Sequence, residues 1–239
     1  GGVGRTLALM NVASELAKDG SNVAIIDFDL EAPGLQTFRE FPTRRSRYGL
    51  LDFISHYVNS FQEQATVPEL NNYIYQSKVS AFKKAAHYST SWRNGLSGPG
   101  TVWLMPAKGS SSRTELSNID WRDLYENKFG YEFFEELKFK ISEFTNADYL
   151  LVDSRTGYSD HSYICTNQLA DAIVLVFFPN EQNLVGLQDI LKRIRGQKSI
   201  NDDNLIFVAS RVPPGDDEAE ILGKNIQRFE RDLLVSAGL

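Results

Sequence analysis

Gly1-Gly2-Val3-Gly4-Arg5-Thr6 runs directly into Leu7-Ala-Leu-Met-Asn-Val-Ala-Ser-Glu-Leu-Ala17, and this junction decides how the rest of the chain is read. The apolar residues of the second stretch recur at helical spacing, and Asp19-Gly20 behind it has the form of a C-terminal cap. Glycines before a helix let successive backbone N–H groups curl round an anion, and the helix N-terminus adds its positive dipole end. Arg5 and Thr6 supply what a nucleoside triphosphate with Mg²⁺ requires, a charge on the phosphates and a hydroxyl on the metal. Taken alone, the hexapeptide also reads as a plain glycine-rich turn before a helix. The chain opens inside this loop and without Met, so the expectation is a domain whose first strand, the one entering the loop, is missing.

Two apolar runs end in acids. Val23-Ala-Ile-Ile26 leads into Asp27-Phe28-Asp29, and Tyr149-Leu-Leu-Val152 leads into Asp153. In a parallel sheet such strand tips meet at the carboxyl edge, where ligands bind. A carboxylate at the end of a buried strand is costly unless it is solvated or works with a cation. One such Asp alone reads as a helix N-cap or a loop acid. Three of them, with a glycine loop before the first helix, argue against that.

Further strand-like runs stand at Thr101-Val-Trp-Leu-Met105, residues 172–178 and Leu205–Ala209. They alternate with helical patterns at residues 48–61, 67–88, 121–126, 131–144, 184–195 and 216–236. This alternation predicts an α/β fold, a mostly parallel sheet with helices on both faces. Residues 89–100, rich in Ser, Gly and Asn, read as a loop. With no internal repeat and no long linker, residues 1–239 are expected to form a single domain, with a helical insertion at about 48–88 capping one end of the sheet.

Composition narrows the function classes. Hydrophobic residues make up 42% and charged residues 23% of the 239, which excludes a disordered tail, a collagen-like fibre and a disulfide-rich mini-protein. The apolar run at 172–178 is too short to span a bilayer, and no export signal is expected. The single cysteine, Cys165, fits a reducing compartment and a cytoplasmic location, and on its apolar segment it reads as core rather than nucleophile. A net charge of −6 is the opposite of what a protein coating nucleic acid by overall charge carries. His56, His87 and His161 are scattered, without metal-ligand spacing. Arg44-Arg45-Ser46-Arg47 reads either as a solvated loop or as a patch for nucleic acid or anionic lipid.

The glycine loop, the Asp-x-Asp strand end and the Asp153 strand resemble three motifs of the MinD/ParA-type P-loop ATPases with a deviant Walker A loop. Gly-Gly-Val-Gly-Arg-Thr, Asp27-Phe-Asp-Leu-Glu-Ala-Pro-Gly34 and Asp153-Ser-Arg-Thr-Gly157 are similar to the branch whose loop reads Lys-Gly-Gly-Val-Gly-Arg. The resemblance implies a P-loop NTPase fold, ATP and Mg²⁺ as cofactors, and a homodimer in the ATP state. It implies that Gly1, Gly2, Val3, Gly4, Arg5, Thr6 and Leu7 surround the phosphates, and that Thr6, Asp27 and Asp153 serve the metal. Asp29 would position the attacking water, with Arg5 as the loop cation, and Ser154, Arg155, Thr156 and Gly157 would form the switch that senses the γ-phosphate. Arg155 reads equally as a loop arginine paired with a local acid. Ser210, Arg211 and Pro213 stand where relatives contact the base.

Two departures bear on activity. Arg5 replaces the loop lysine, which implies retained binding and slow hydrolysis. The family's signature lysine would precede Gly1. The function implied is an ATP-dependent molecular switch controlling an effector or fused domain in a bacterial system. A partition-type ATPase on DNA or membrane and a non-hydrolysing nucleotide scaffold stand beside it as alternatives.

Overall fold

Strand β1 (Val23–Asp27) is buried at every position, as an apolar run covered on both faces must be. The computed structural model describes residues 4–38, 47–64, 66–77, 99–155, 163–178, 180–195, 204–210, 223, 227 and 231. It places β1 inside a four-stranded sheet of order β2-β3-β1-β4. β3 (Val102–Met105) and β4 (Tyr149–Asp153) flank β1 in parallel, with Val23 opposite both Val102 and Tyr149, and Asp27 opposite Asp153. β2 (Tyr75–Ser77) pairs antiparallel along the outer side of β3.

Side chains alternate across β1. Ala24 and Ile26, with Phe28 beyond them, join a core built by α2 (Leu50–Gln64), α3 (Trp121–Asn127) and α4 (Gly130–Thr145). Val23 and Ile25 join Met10, Ala13 and Ala17 of α1 (Arg5–Lys18). The sheet is therefore mostly parallel with helices on both faces. Phe53 of α2 and Phe133 and Phe134 of α4 are almost fully buried, each contributing roughly 1.5–3 kcal/mol by transfer from water. Tyr57 stacks on Phe133 with ring centroids 4.4 Å apart.

The chain divides into two compact units, Thr6–Leu169, which holds this sheet, and Gly1–Arg5 with Ala170–Leu239. In the second unit β5 (Ile173–Phe177) and β6 (Leu205–Ala209) pair in parallel, with Ile173 opposite Leu205. Helix α5 (Glu181–Arg195) lays Leu187 and Leu191 on Phe177, and Ile194 on Ile173. It begins three residues ahead of the expected position, because the Asn180 side chain accepts the Asn183 N–H at 2.9 Å and caps its first turn.

The helix expected at residues 67–88 is absent where the structure describes that stretch. Leu70–Asn72 form a short 3₁₀ turn, and Tyr75–Ser77 become β2. Asn71 and Asn72 are weak helix formers, and Tyr73-Ile74-Tyr75 suits an extended edge. Tyr75 and Ser77 are buried with Gln76 exposed between them, the alternation of a strand. Residues 78–88, all but the last two residues of the loop expected at 89–100 and nearly all of the closing helix at 216–236 lie outside the described residues. Among the described residues no helix is long and apolar enough to cross a membrane.

Candidate functional site

Thr6 lies in the first turn of α1, behind Gly4, whose φ of +83° is a backbone conformation that favours glycine. The Thr6 hydroxyl donates to Asp153 Oδ2 at 2.7 Å. Because Asp153 ends β4 directly opposite Asp27 at the end of β1, the parallel register sets two carboxylates side by side. The Phe28 N–H donates to the Asp153 carbonyl at 2.9 Å and carries the pairing one step beyond them.

Both acids are out of water: Asp27 is fully buried and Asp153 is 3% exposed. Asp27 Oδ1 accepts the Asp29 N–H at 3.2 Å, whereas its buried Oδ2 meets no hydrogen-bond donor within bonding geometry among the described residues. Burial first, and the neighbouring Asp153 second, push the Asp27 carboxyl up to about 8, against the opposing pull of the Asp29 and Leu35 backbone N–H groups. A divalent cation would relieve this arrangement, since it satisfies the orphaned oxygen and offsets the paired negative charges. Among the described residues no group of three or more His, Cys, Asp or Glu converges. Two carboxylates and a hydroxyl match Mg²⁺, which takes one or two protein carboxylates and leaves other positions to water and phosphate oxygens.

The loop after β1 folds back onto the hydroxyl. Asp29 is half-buried, and its Oδ1 accepts the Ala32 N–H at 3.2 Å, turning the chain toward Pro33 and Gly34. A Cβ placed on Gly34 would lie 3.1 Å from Thr6 Oγ1. Gly34→Val is therefore expected to displace the hydroxyl and weaken Mg²⁺-dependent nucleotide binding by about tenfold, roughly 1.4 kcal/mol. Calorimetric titration beside a thermal melt checks this, and unchanged affinity in a folded variant would contradict it.

Arg155 forms an ion pair with Glu31, so a local acid from the loop after β1 is one partner of the arginine beyond Asp153. Ser154 stands beside Cys165, which is 5% exposed and whose thiol is pushed up to about 12, chiefly by burial. Cys165 packs in the core, as expected. Leu7 points outward on α1, 54% exposed. Ser210 belongs to the second unit, where its N–H and hydroxyl donate to the Phe177 carbonyl at 2.8 and 3.2 Å. Gly1, Gly2, Val3, Thr156, Gly157, Arg211 and Pro213 lie outside the described residues.

The structure thus brings together Thr6, Asp27, Asp29, Asp153, Ser154 and Arg155 within the first unit. Sequence reasoning assigned no role to Glu31 or Gly34. For Glu31 the available signal was its opposite charge to Arg155 across two loops that the strand register makes neighbours. Gly34 behind Pro33 reads only as a turn, and its approach to Thr6 exists only in three dimensions.

A complex of Cyanothece McdA, in variant form, with ATP superimposes on 95% of this chain and 75% of its own with a TM-score of 0.58, at 16% identity. The chain shares the fold of that McdA structure. MinD of Pyrococcus horikoshii, complexed with Mg-ADP, matches 87% of this chain and 63% of its own, with a TM-score of 0.48 and 17% identity. In sequence, the cytosolic Fe–S cluster assembly factor CFD1 of Candida albicans is 26% identical over 206 residues, 84% of this chain. The chain spans 59% of the length of that relative. No family model matches the chain. In this fold Asp27 and Asp153 stand at the carboxyl ends of adjacent parallel strands, the edge where open α/β sheets bind ligands.

Proposed function

We propose that the protein is a Mg²⁺-ATP-dependent molecular switch that binds ATP, hydrolyses it slowly and alters its surface toward an effector between the two nucleotide states. The observation that carries this is the Thr6 hydroxyl 2.7 Å from Asp153, beside the buried Oδ2 of Asp27, which has no hydrogen-bond partner among the described residues. Mg²⁺, when bound, supplies charge neutralisation to the phosphates. Thr6 would be its protein ligand, with Asp153 and Asp27 holding its water shell from the strand ends. The backbone from Gly1 to Leu7 would cradle the phosphates, and Arg5 would neutralise them.

Asp29 would orient the attacking water, and residues 154–157 would shift with the state of the γ-phosphate. Ser210, Arg211 and Pro213 would meet the base. Arg5 in place of a lysine supports slow turnover, because its planar fork binds phosphate bidentately but is bulkier than an ammonium. The motif set Gly-Gly-Val-Gly-Arg-Thr supports assignment to the Arg-ended branch, with an effector that is fused or separate in a bacterial system, a cytoplasmic setting and an ATP-bound homodimer.

Sedimentation velocity with Mg-ATP and with Mg-ADP, beside phosphate release, tests the switch. The expected result is a larger species with Mg-ATP only, together with slow release of phosphate. Identical sedimentation in both nucleotides and no release would contradict it.

A further inference from the structure

We propose that a second site, built by the loop entering α2 and the loop leaving β3, binds an oxyanion of the phosphate-ester or carboxylate class. The loops border a cleft of about 450 Å³ that shares no residue with the nucleotide site and is lined by Arg47, His56, Ser111, Arg113 and Thr114 over Tyr48 and Asp52.

The backbone of this cleft is held firmly. The Leu50 and Leu51 N–H groups donate to the Pro106 and Ala107 carbonyls at 2.8 and 3.1 Å, and the Ser111 N–H donates to the Arg47 carbonyl at 3.0 Å. The two loops press so closely that a Cβ on Gly49 would fall 2.5 Å from the Pro106 carbonyl oxygen, and one on Gly109 would fall 2.4 Å from the Tyr48 nitrogen. A ligand entering here orders little additional backbone, which removes much of the usual entropic cost of binding.

Its charge is cationic toward solvent. Asp52 is only 2% exposed, and its carboxylate is turned inward. Oδ2 accepts the Gly49 N–H at 2.9 Å, and Oδ1 accepts the Ser112 and Thr114 hydroxyls, both at 2.8 Å. Arg47 lies over the Tyr48 ring, 5.4 Å from its centroid, which orients the guanidinium without neutralising it. Among the described residues neither Arg47 nor Arg113 has a carboxylate partner, whereas the nearby Lys108 is paired with Glu115 at 3.0 Å. Two guanidiniums at the mouth of a polar concavity, with the Ser111 hydroxyl and the exposed His56 imidazole beside them, offer several donors to one oxyanion.

The test follows the His56 ring by NMR while inorganic phosphate, or separately succinate, is added at low ionic strength. Wild type, Arg47→Gln and Arg113→Gln are compared, with Thr6→Ala as a control in the nucleotide site. The expected result is a saturable shift that weakens at least tenfold in both arginine variants, at unchanged melting temperature, and stays unaltered in Thr6→Ala. Tighter binding of phosphate assigns a phosphate ester as the natural source, and tighter binding of succinate assigns a carboxylate. Absence of a saturable shift with either anion, or equal affinity in wild type and both arginine variants, would overturn the site whether or not the protein binds ATP.

Discussion

Asp29→Ala is expected to bind Mg-ATP within about twofold of wild type while hydrolysing it at least ~100-fold more slowly, the range that a positioned proton acceptor contributes. A carboxylate that orients water acts mainly in the transition state, so its removal lowers the rate and leaves ground-state binding intact. Asp29 is placed for this by the chain itself, since its N–H is held by Asp27 and its Oδ1 by the Ala32 N–H. Arg5→Ala is expected to behave in the opposite way and lose most of the affinity, because a loop cation already meets the phosphates before reaction. Single-turnover hydrolysis beside equilibrium binding separates the two effects. Wild-type turnover by Asp29→Ala would remove Asp29 from the mechanism, whereas binding without turnover in the wild type would favour the non-hydrolysing scaffold.

The metal-free protein is expected to lose stability as pH rises from about 4 to about 8, and Asp27 is the cause. Its carboxyl sits at about 8 in the folded chain against an ordinary value of 3.8. Across that window the unfolded chain has released the proton and the folded chain still holds it, so folding is favoured at the acid end and progressively less toward the alkaline end. The full difference is on the order of 6 kcal/mol, taking about 1.4 kcal/mol for each pH unit. Asp27→Asn keeps the shape without the charge, so its stability curve is expected to be flatter and to lie above wild type near the alkaline end. Added Mg²⁺ with nucleotide should raise wild type there by more than it raises the Asn variant. Denaturant midpoints measured across the range check this, and parallel pH curves for the two proteins would contradict it.

Much of the fold was legible because its signals are local. An apolar run ending in an acid identifies β1 and β4 without reference to the rest of the chain, and the β/α alternation predicts parallel order. The juxtaposition of Asp27 and Asp153 then follows from register, since both close strands of five residues that start in line. β2 was not legible, because three residues of edge strand carry too little pattern to outweigh the helical spacing around them. The Asn180 cap went unread behind Pro179, where a turn is the simpler inference. The Gly34 contact with Thr6, the Glu31–Arg155 pair and the Arg47–Arg113 cleft join residues far apart in the chain, and no local spacing announces them.

Titration of ATP into the protein with and without Mg²⁺, for wild type and Thr6→Ala, tests the metal-dependent site most directly. The hydroxyl that now donates to Asp153 is the protein's own proposed metal ligand, so Mg²⁺ is expected to tighten ATP binding to wild type at least about tenfold, roughly 1.4 kcal/mol. Thr6→Ala is expected to lose that gain and to keep the weaker metal-free affinity. Equal affinities for the two proteins under both conditions would contradict the assignment of Thr6, Asp27 and Asp153 to a nucleotide-bound cation.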